Sequence, residues 1–181
     1  DTRPMIYFPY YRYDLYFYIE KKSKINYINC INIFFKVIDA VDFIHSLGLI
    51  HCDIKPENIL LDEKLNPKLI DFGHLTVNKS FIEKGTINYN SPEICMGKMY
   101  NYRTDLWSLG ILLYLMYCGE FPFYKKKGPI HKQIINFSIR IPPKNPTIYK
   151  ITKSLLMVDP NKRMSLRNIM KMECFKHLAV N

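Results

Sequence analysis

Alanine is almost missing from this chain of 181 residues: there are 2, against 24 Ile, 20 Lys, 14 Asn and 14 Tyr. Glycine is sparse too, at 7, and none of it forms a Gly-x-Gly-x-x-Gly run. That excludes a phosphate-cradling loop of this form from the stretch in hand. No apolar run reaches the roughly 18–20 residues that a bilayer-spanning helix needs. Nothing near the start reads as a signal peptide, because no basic stretch precedes an apolar one. Cys30, Cys52, Cys95, Cys118 and Cys174 are odd in number and widely spaced, with no Cys-x-x-Cys. This argues against a disulfide framework or a structural zinc site and fits a reducing, intracellular compartment, cytoplasm or nucleus. The first residue is Asp1 and not Met, so the chain is expected to be a fragment or a processed product.

What is present suits a folded domain. Apolar residues make up 48% and charged residues 23%, which is enough for a core and excludes global disorder. The length fits one domain or a piece of a larger one. The net charge of +10 comes from scattered lysines. Ile, Lys, Asn and Tyr all use A- and T-rich codons, so the charge reads as base composition more than as a nucleic-acid surface. The tightest cluster, Lys125-Lys126-Lys127 beside Gly128-Pro129, reads as a solvated loop.

Hydrophobic spacing predicts the elements. Residues 5–11 read as a strand running into a Pro9 turn, and Asp14 as the cap of a short helix through Ile19. Ile28, Ile31, Phe34, Ile38, Val41 and Ile44 fall at three- and four-residue steps, predicting a long amphipathic helix over 27–46 that Gly48 closes. Leu49–His51, Ile59–Leu61 and Lys68–Ile70 read as short strands, and 74–92 as a long surface loop. Residues 104–118 are apolar nearly all round, which predicts a buried central helix ended by Gly119 and Pro122. Pro142-Pro143 and Pro146 interrupt the chain, and two more helices are expected near 148–157 and 165–171. The fold class is mainly α with a few short strands, around one loop-rich site.

Five motifs carry chemistry. They are His51-Cys52-Asp53-Ile54-Lys55-Pro56-Glu57-Asn58-Ile59-Leu60, Asp71-Phe72-Gly73, Gly85-Thr86 through Tyr89 to Ser91-Pro92-Glu93, Asp105-Leu106-Trp107-Ser108-Leu109-Gly110, and Leu155-Leu156 with Asp159-Pro160 and Arg163. In this order and spacing they resemble the catalytic loop (51–60), the activation segment (71–93), the central helix and the closing signature of the eukaryotic protein-kinase C-terminal lobe. Any one alone would be weak, and the resemblance runs from about residue 5 to 175. It implies phosphoryl transfer from ATP to protein hydroxyls with Mg²⁺. A carboxylate on a rigid loop suits the orientation of an attacking hydroxyl, which makes Asp53 the candidate base. Lys55, two residues on in an extended loop, would reach the same side to stabilise the transferring phosphoryl. Asn58 and Asp71 offer the neutral and anionic oxygens that Mg²⁺ favours. Gly73 permits a sharp turn after Asp71.

The resemblance supplies further roles. Leu60 would floor the adenine site, and Thr86 would sit beside Asp53 and Lys55. His51 and Phe72 would be structural, as would Asp105, and Glu93 would pair with Arg163. Trp107 reads as core and Cys52 as a bystander, while Glu57 is either a contact for a basic substrate residue or a solvated charge. Lys55 marks the Ser/Thr-directed form of the loop. The subgroup stays open among calmodulin-dependent-like, cell-cycle and mitotic-inhibitory kinases.

Two departures count. Cys52 stands where regulated kinases usually carry the Arg that receives an activation-segment phosphate, so activity is expected not to depend on phosphorylation of Thr76, Ser80 or Thr86. The small lobe's glycine loop and its phosphate-holding lysine are also missing from these residues. Residues 1–13 resemble that lobe's last strand and the hinge, 14–181 resemble the C-lobe, and the rest of the small lobe is expected upstream in the same chain. The piece alone is expected to expose an apolar face and to be nearly inactive. The alternative is a catalytically inactive C-lobe remnant that serves as a protein-binding scaffold. Expected partners are Ser/Thr-bearing proteins, with neither nucleic acid nor membrane.

Overall fold

A computed structural model describes residues 9–77, 86–123, 128–137 and 145–178. The architecture is mainly helical with a few two- and three-residue strands, the fold class expected from the sequence. Strand β1 (Tyr13–Asp14) leads directly into helix α1 (Leu15–Lys22). Asp14 caps α1 by accepting from the Phe17 N–H at 2.7 Å, which satisfies one of the orphan donors of the first turn. Helix α2 (Tyr27–Ser46) is capped in the same way by Asn26. Its buried stripe of Ile31, Phe34, Val37, Ile38, Val41 and Ile44 follows the helical period. Ile28, expected in that stripe, lies in the first turn and faces outward, 67% exposed.

Short strands then frame the loops. They are β2 (Leu49–Ile50), β3 (Ile59–Leu61), β4 (Pro67–Leu69) and β5 (Thr76–Val77). β3 pairs antiparallel with both β1 and β4, and β2 pairs with β5. A 3₁₀ turn over Ile87–Tyr89 and helix α3 (Pro92–Cys95) follow. The expectation of one loop over 74–92 therefore gives way to a strand, a turn and a short helix, with 78–85 outside the described residues. The strand expected over 5–11 falls largely outside them as well, and the described strand is β1.

Helix α4 (Arg103–Cys118) is buried along most of its length, from Thr104 to Met116. Ring contacts of Trp107 with Phe137 at 5.3 Å extend the core. Gly119 ends α4 at φ +77°, and a Cβ there would lie 1.7 Å from the Ser23 carbonyl oxygen. Only glycine allows that close approach of the α1–α2 turn, which the Ile25 N–H secures by donating to Met116 O at 2.8 Å. Helices α5 (Ile130–Ile135), α6 (Pro146–Leu155) and α7 (Leu166–Met170) complete the lobe. α5 was not foreseen, while α6 and α7 lie close to their expected places. Pro146 begins α6 rather than breaking it, since a missing N–H costs nothing at the first position. Lys125–Lys127 and Pro142-Pro143 lie outside the described residues. Among the described residues, no helix is long and apolar enough to cross a membrane.

Candidate active site

The site is assembled on a buried carboxylate. Helix α4 is sunk in the core, so the charge of Asp105 in its first turn is buried too, at 0% exposure. A buried carboxylate must be fully hydrogen-bonded. Asp105 Oδ1 accepts the Cys52 N–H at 2.9 Å, and Oδ2 accepts the His51 N–H at 2.9 Å and faces His45 Nε2 at 2.8 Å. These bonds hold Cys52 at φ +65°, a backbone region that L residues avoid. The turn they create aims the next residue, Asp53, out of the core.

Asp53 is 5% exposed, and the polar residues of its own loop converge on it. Lys55 Nζ lies 2.8 Å from Asp53 Oδ2. Asn58 Nδ2 donates to both the backbone oxygen and Oδ2 of Asp53, each at 2.9 Å. Lys55 Nζ also reaches Thr86 Oγ1 at 3.3 Å. Two residues predicted from sequence thus meet on one carboxylate oxygen, and the lysine links the 51–60 loop to a third, Thr86. Charge-assisted bonds of this kind fix a side chain in one orientation. His51 packs behind them with no exposure, its ring 5.6 Å from Phe72. Burial pushes the His51 imidazole below its ordinary value, against the opposing pull of Asp105.

Asp71 lies across the site from this cluster. The Ile70 N–H donates to Asn58 O at 2.9 Å, tying the segment between β4 and Asp71 to the turn that carries Asn58. Asp71 is exposed at φ +60°, and its own Oδ1 accepts the Gly73 N–H at 3.2 Å. Aspartate tolerates this conformation because its short side chain bonds the local backbone. Asn58 commits its Nδ2 to Asp53, which leaves Oδ1 for another partner, and Asp71 keeps Oδ2. A hard cation fits such a pair, provided its remaining positions go to waters and phosphate oxygens. Among the described residues, no three His, Cys, Asp or Glu side chains make a metal cage. Leu60 is half-buried on β3, opposite Asp14 and Lys68. Phe72 is 49% exposed, with its ring 5.6 Å from that of His51.

The 71–93 segment is anchored at its far end. Arg163 is 5% exposed and Glu93 4%. Both guanidinium NH groups meet the Glu93 carboxylate at 2.7 Å, a bidentate pair. Arg163 also donates to the carbonyls of Arg103 at 2.7 Å and Met157 at 2.9 Å, and stacks 5.4 Å over Trp107. Ser91 bonds Thr104 at 2.8 Å, and Ser108 donates to Tyr89 O at 2.9 Å. Cys52 packs with Ile50, Ile94 and Tyr100 in a small apolar cluster between the catalytic loop and α3.

Sequence reasoning gave His45 no role, although it follows Ile44 at the end of the apolar stripe of α2. The available signal was a polar side chain on a core-facing position, which demands a buried partner. Comparison with known proteins agrees with the geometry. A family model described as "Protein kinase domain" matches residues 2–175. The chain is 35% identical over 170 residues to the carbon catabolite-derepressing protein kinases of Candida glabrata, Saccharomyces cerevisiae and Candida tropicalis, which covers 90% of this chain. It spans only 27–28% of the length of those relatives. By the family match and the geometry together, this chain belongs to the protein kinase family.

Proposed function

We propose that this chain is the C-lobe of a Ser/Thr protein kinase, with Asp53 orienting the acceptor hydroxyl and taking its proton. The observation that carries the reading is the convergence of Lys55 Nζ and Asn58 Nδ2 on Asp53 Oδ2, at 2.8 and 2.9 Å. Lys55 steers the carboxylate, and turns its charge to the phosphoryl as that group moves. Thr86, bonded to the same lysine, sets the edge along which the substrate backbone runs. Asn58 Oδ1 and Asp71 would hold Mg²⁺, which supplies positive charge to the ATP phosphates. Leu60 offers the apolar floor beneath the adenine.

Residues 1–13 are read as the last small-lobe strand and hinge, and 14–181 as the C-lobe. The exposed apolar rings of Tyr10 and Phe72, 88% and 49% accessible, support a covering lobe that encloses the nucleotide. The glycine loop and phosphate-holding lysine would come from that lobe in the same protein, and without it the 181-residue piece would turn over little. All five cysteines are free thiols, which supports an intracellular, reducing location. Protein substrates are proposed, and nucleic acid and membranes are not.

The test is phosphoamino-acid analysis of a generic protein substrate treated with the complete kinase, ATP and Mg²⁺. Labelled phosphoserine and phosphothreonine, lost on chelation and in Asp71→Asn, are the expected result. Phosphotyrosine alone, or no divalent requirement, would contradict the assignment. A protein that binds partners but transfers nothing would favour the scaffold reading.

A further inference from the structure

Between α1 and the turn that follows β3 lies a cavity of about 240 Å³. Its apolar walls are Tyr13, Phe17, Tyr18, Leu61 and Leu65. The ladder between β1 and β3 decides which way it faces. Tyr13 pairs with Leu61 and Asp14 with Leu60, and successive strand residues point to opposite sides. The cavity therefore lies on the side of the sheet turned away from Leu60 and the adenine floor proposed there.

One rim of the cavity is basic. Lys21 and Lys22 line it and are exposed, and Arg12 stands next to it over the Tyr13 ring. Among the described residues, none of these three cations takes part in an ion pair. Arg12 Cζ and Lys21 Nζ lie 5.2 and 5.8 Å from the centre of the Tyr13 ring. Ring contacts of this kind hold the cations in place and leave their N–H donors open. Tyr13 stacks on Phe17 at 4.9 Å, yet Phe17 keeps 43% of its surface exposed. The opposite rim holds Asp62 and Glu63. Asp62 spends its carboxylate on its own turn, accepting from the Lys64 N–H at 2.9 Å, the Asn66 N–H at 2.7 Å and Asn66 Nδ2 at 2.8 Å. The open charge at the cavity mouth is thus three cations on the α1 side against Glu63 on the other.

We propose that this cavity docks a partner protein through an acidic segment that carries a large apolar residue. The apolar residue enters between Phe17, Tyr18 and Leu65, as a buried anchor does at an interface. The carboxylates beside it meet Lys21, Lys22 and Arg12. Charge complementarity of this kind sets partner choice and speeds encounter. A peptide can keep its carboxylates on the α1 side of the cavity. A nucleic acid carries a phosphate at every step and would also set phosphates against Asp62 and Glu63. Because the cavity opens away from Leu60, the partner and the nucleotide would not compete.

Fluorescence anisotropy of three labelled peptides on the complete protein decides it. The first carries Leu-Phe flanked by Glu and Asp. The second keeps the acidic flanks and replaces Leu-Phe by Ser-Ser. The third keeps Leu-Phe between Lys and Arg. The first is expected to bind about tenfold more tightly than either of the others, as exposed ion pairs together with an apolar contact can supply. Lys21→Glu with Lys22→Glu is expected to erase its advantage over the third peptide and to leave transfer to a generic substrate unchanged. Equal binding of the first two peptides would mean that the net charge of +10 alone attracts them, and it overturns the proposal. Equal binding of the first and third overturns it too, as does an unchanged preference in the doubly substituted protein. Tighter binding of a mixed-sequence oligonucleotide than of the first peptide also overturns it. If the double variant does not fold, the three peptides on the unaltered protein still decide.

Discussion

Arg163 and Glu93 form the most enclosed ion pair described, and the pair sits far from any reacting atom. Removing one partner would strand the other charge in a buried site. Glu93→Ala is therefore expected to lower stability by about 3–5 kcal/mol, measured by denaturant unfolding, and a loss under about 1 kcal/mol would show that the pair is not buried in solution. His51 gives a second residue-scale prediction. Its folded value is lowered by burial from the ordinary 6.5, so the folded state holds it neutral while the unfolded chain protonates it. The unfolded state then binds more protons, and this residue's contribution is full above about pH 6.5 and falls away as pH drops below it. Unfolding titrations between pH 7.5 and 5 should show a shallower slope for His51→Phe than for the unaltered chain. Identical slopes would mean the imidazole is not desolvated. Asp53, Asn58 and Asp71 were legible as chemistry-bearing residues because motif spacing survives in one dimension. Glu20, Asn88 and Glu120 were not grouped, because only the fold brings them to one cavity.

Elements differ in how openly the sequence announces them. α2 and α4 were readable because an apolar pattern sustained over four or five helical turns suits little besides a helix. β1 and β5 were not, because a two-residue strand is defined by its partner, and α5 has six residues with one buried, Ile134. Packing between elements adds a constraint no periodicity shows. At Gly110 a Cβ would lie 2.7 Å from Leu156 Cδ2 and 3.0 Å from Leu155 Cβ, so α4 and α6 touch through a bare backbone. Gly110→Ala is expected to cost about 1–3 kcal/mol through overpacking, despite alanine's better helix propensity. Thermal unfolding checks it, and a raised Tm would show that α6 can back away. The β2–β5 pair and the Cys52–Ile94 cluster connect residues 49–52 to both described ends of the 71–93 segment by packing and backbone bonds. Thr76→Ala in the complete kinase is accordingly expected to keep activity within about twofold, well under the roughly tenfold that 1.4 kcal/mol represents. Activity lost and then restored by Thr76→Asp would contradict that architecture.

At the scale of the molecule, one core carries the site. α2 and α4 pack together, and their shared hydrogen bonds to Asp105 pass that rigidity to the catalytic loop. The activation segment is pinned to the same core through Ser91, Ser108 and Glu93. The fold class was legible in the sequence because five ordered motifs fit one lobe. The most direct test of the whole account is the turnover number of the complete kinase with Asp53→Asn, which keeps the shape and removes the proton acceptor. The account predicts a fall in kcat of about 10²–10⁴-fold with an unchanged melting temperature. Near-normal kcat in a folded Asp53→Asn protein would contradict it.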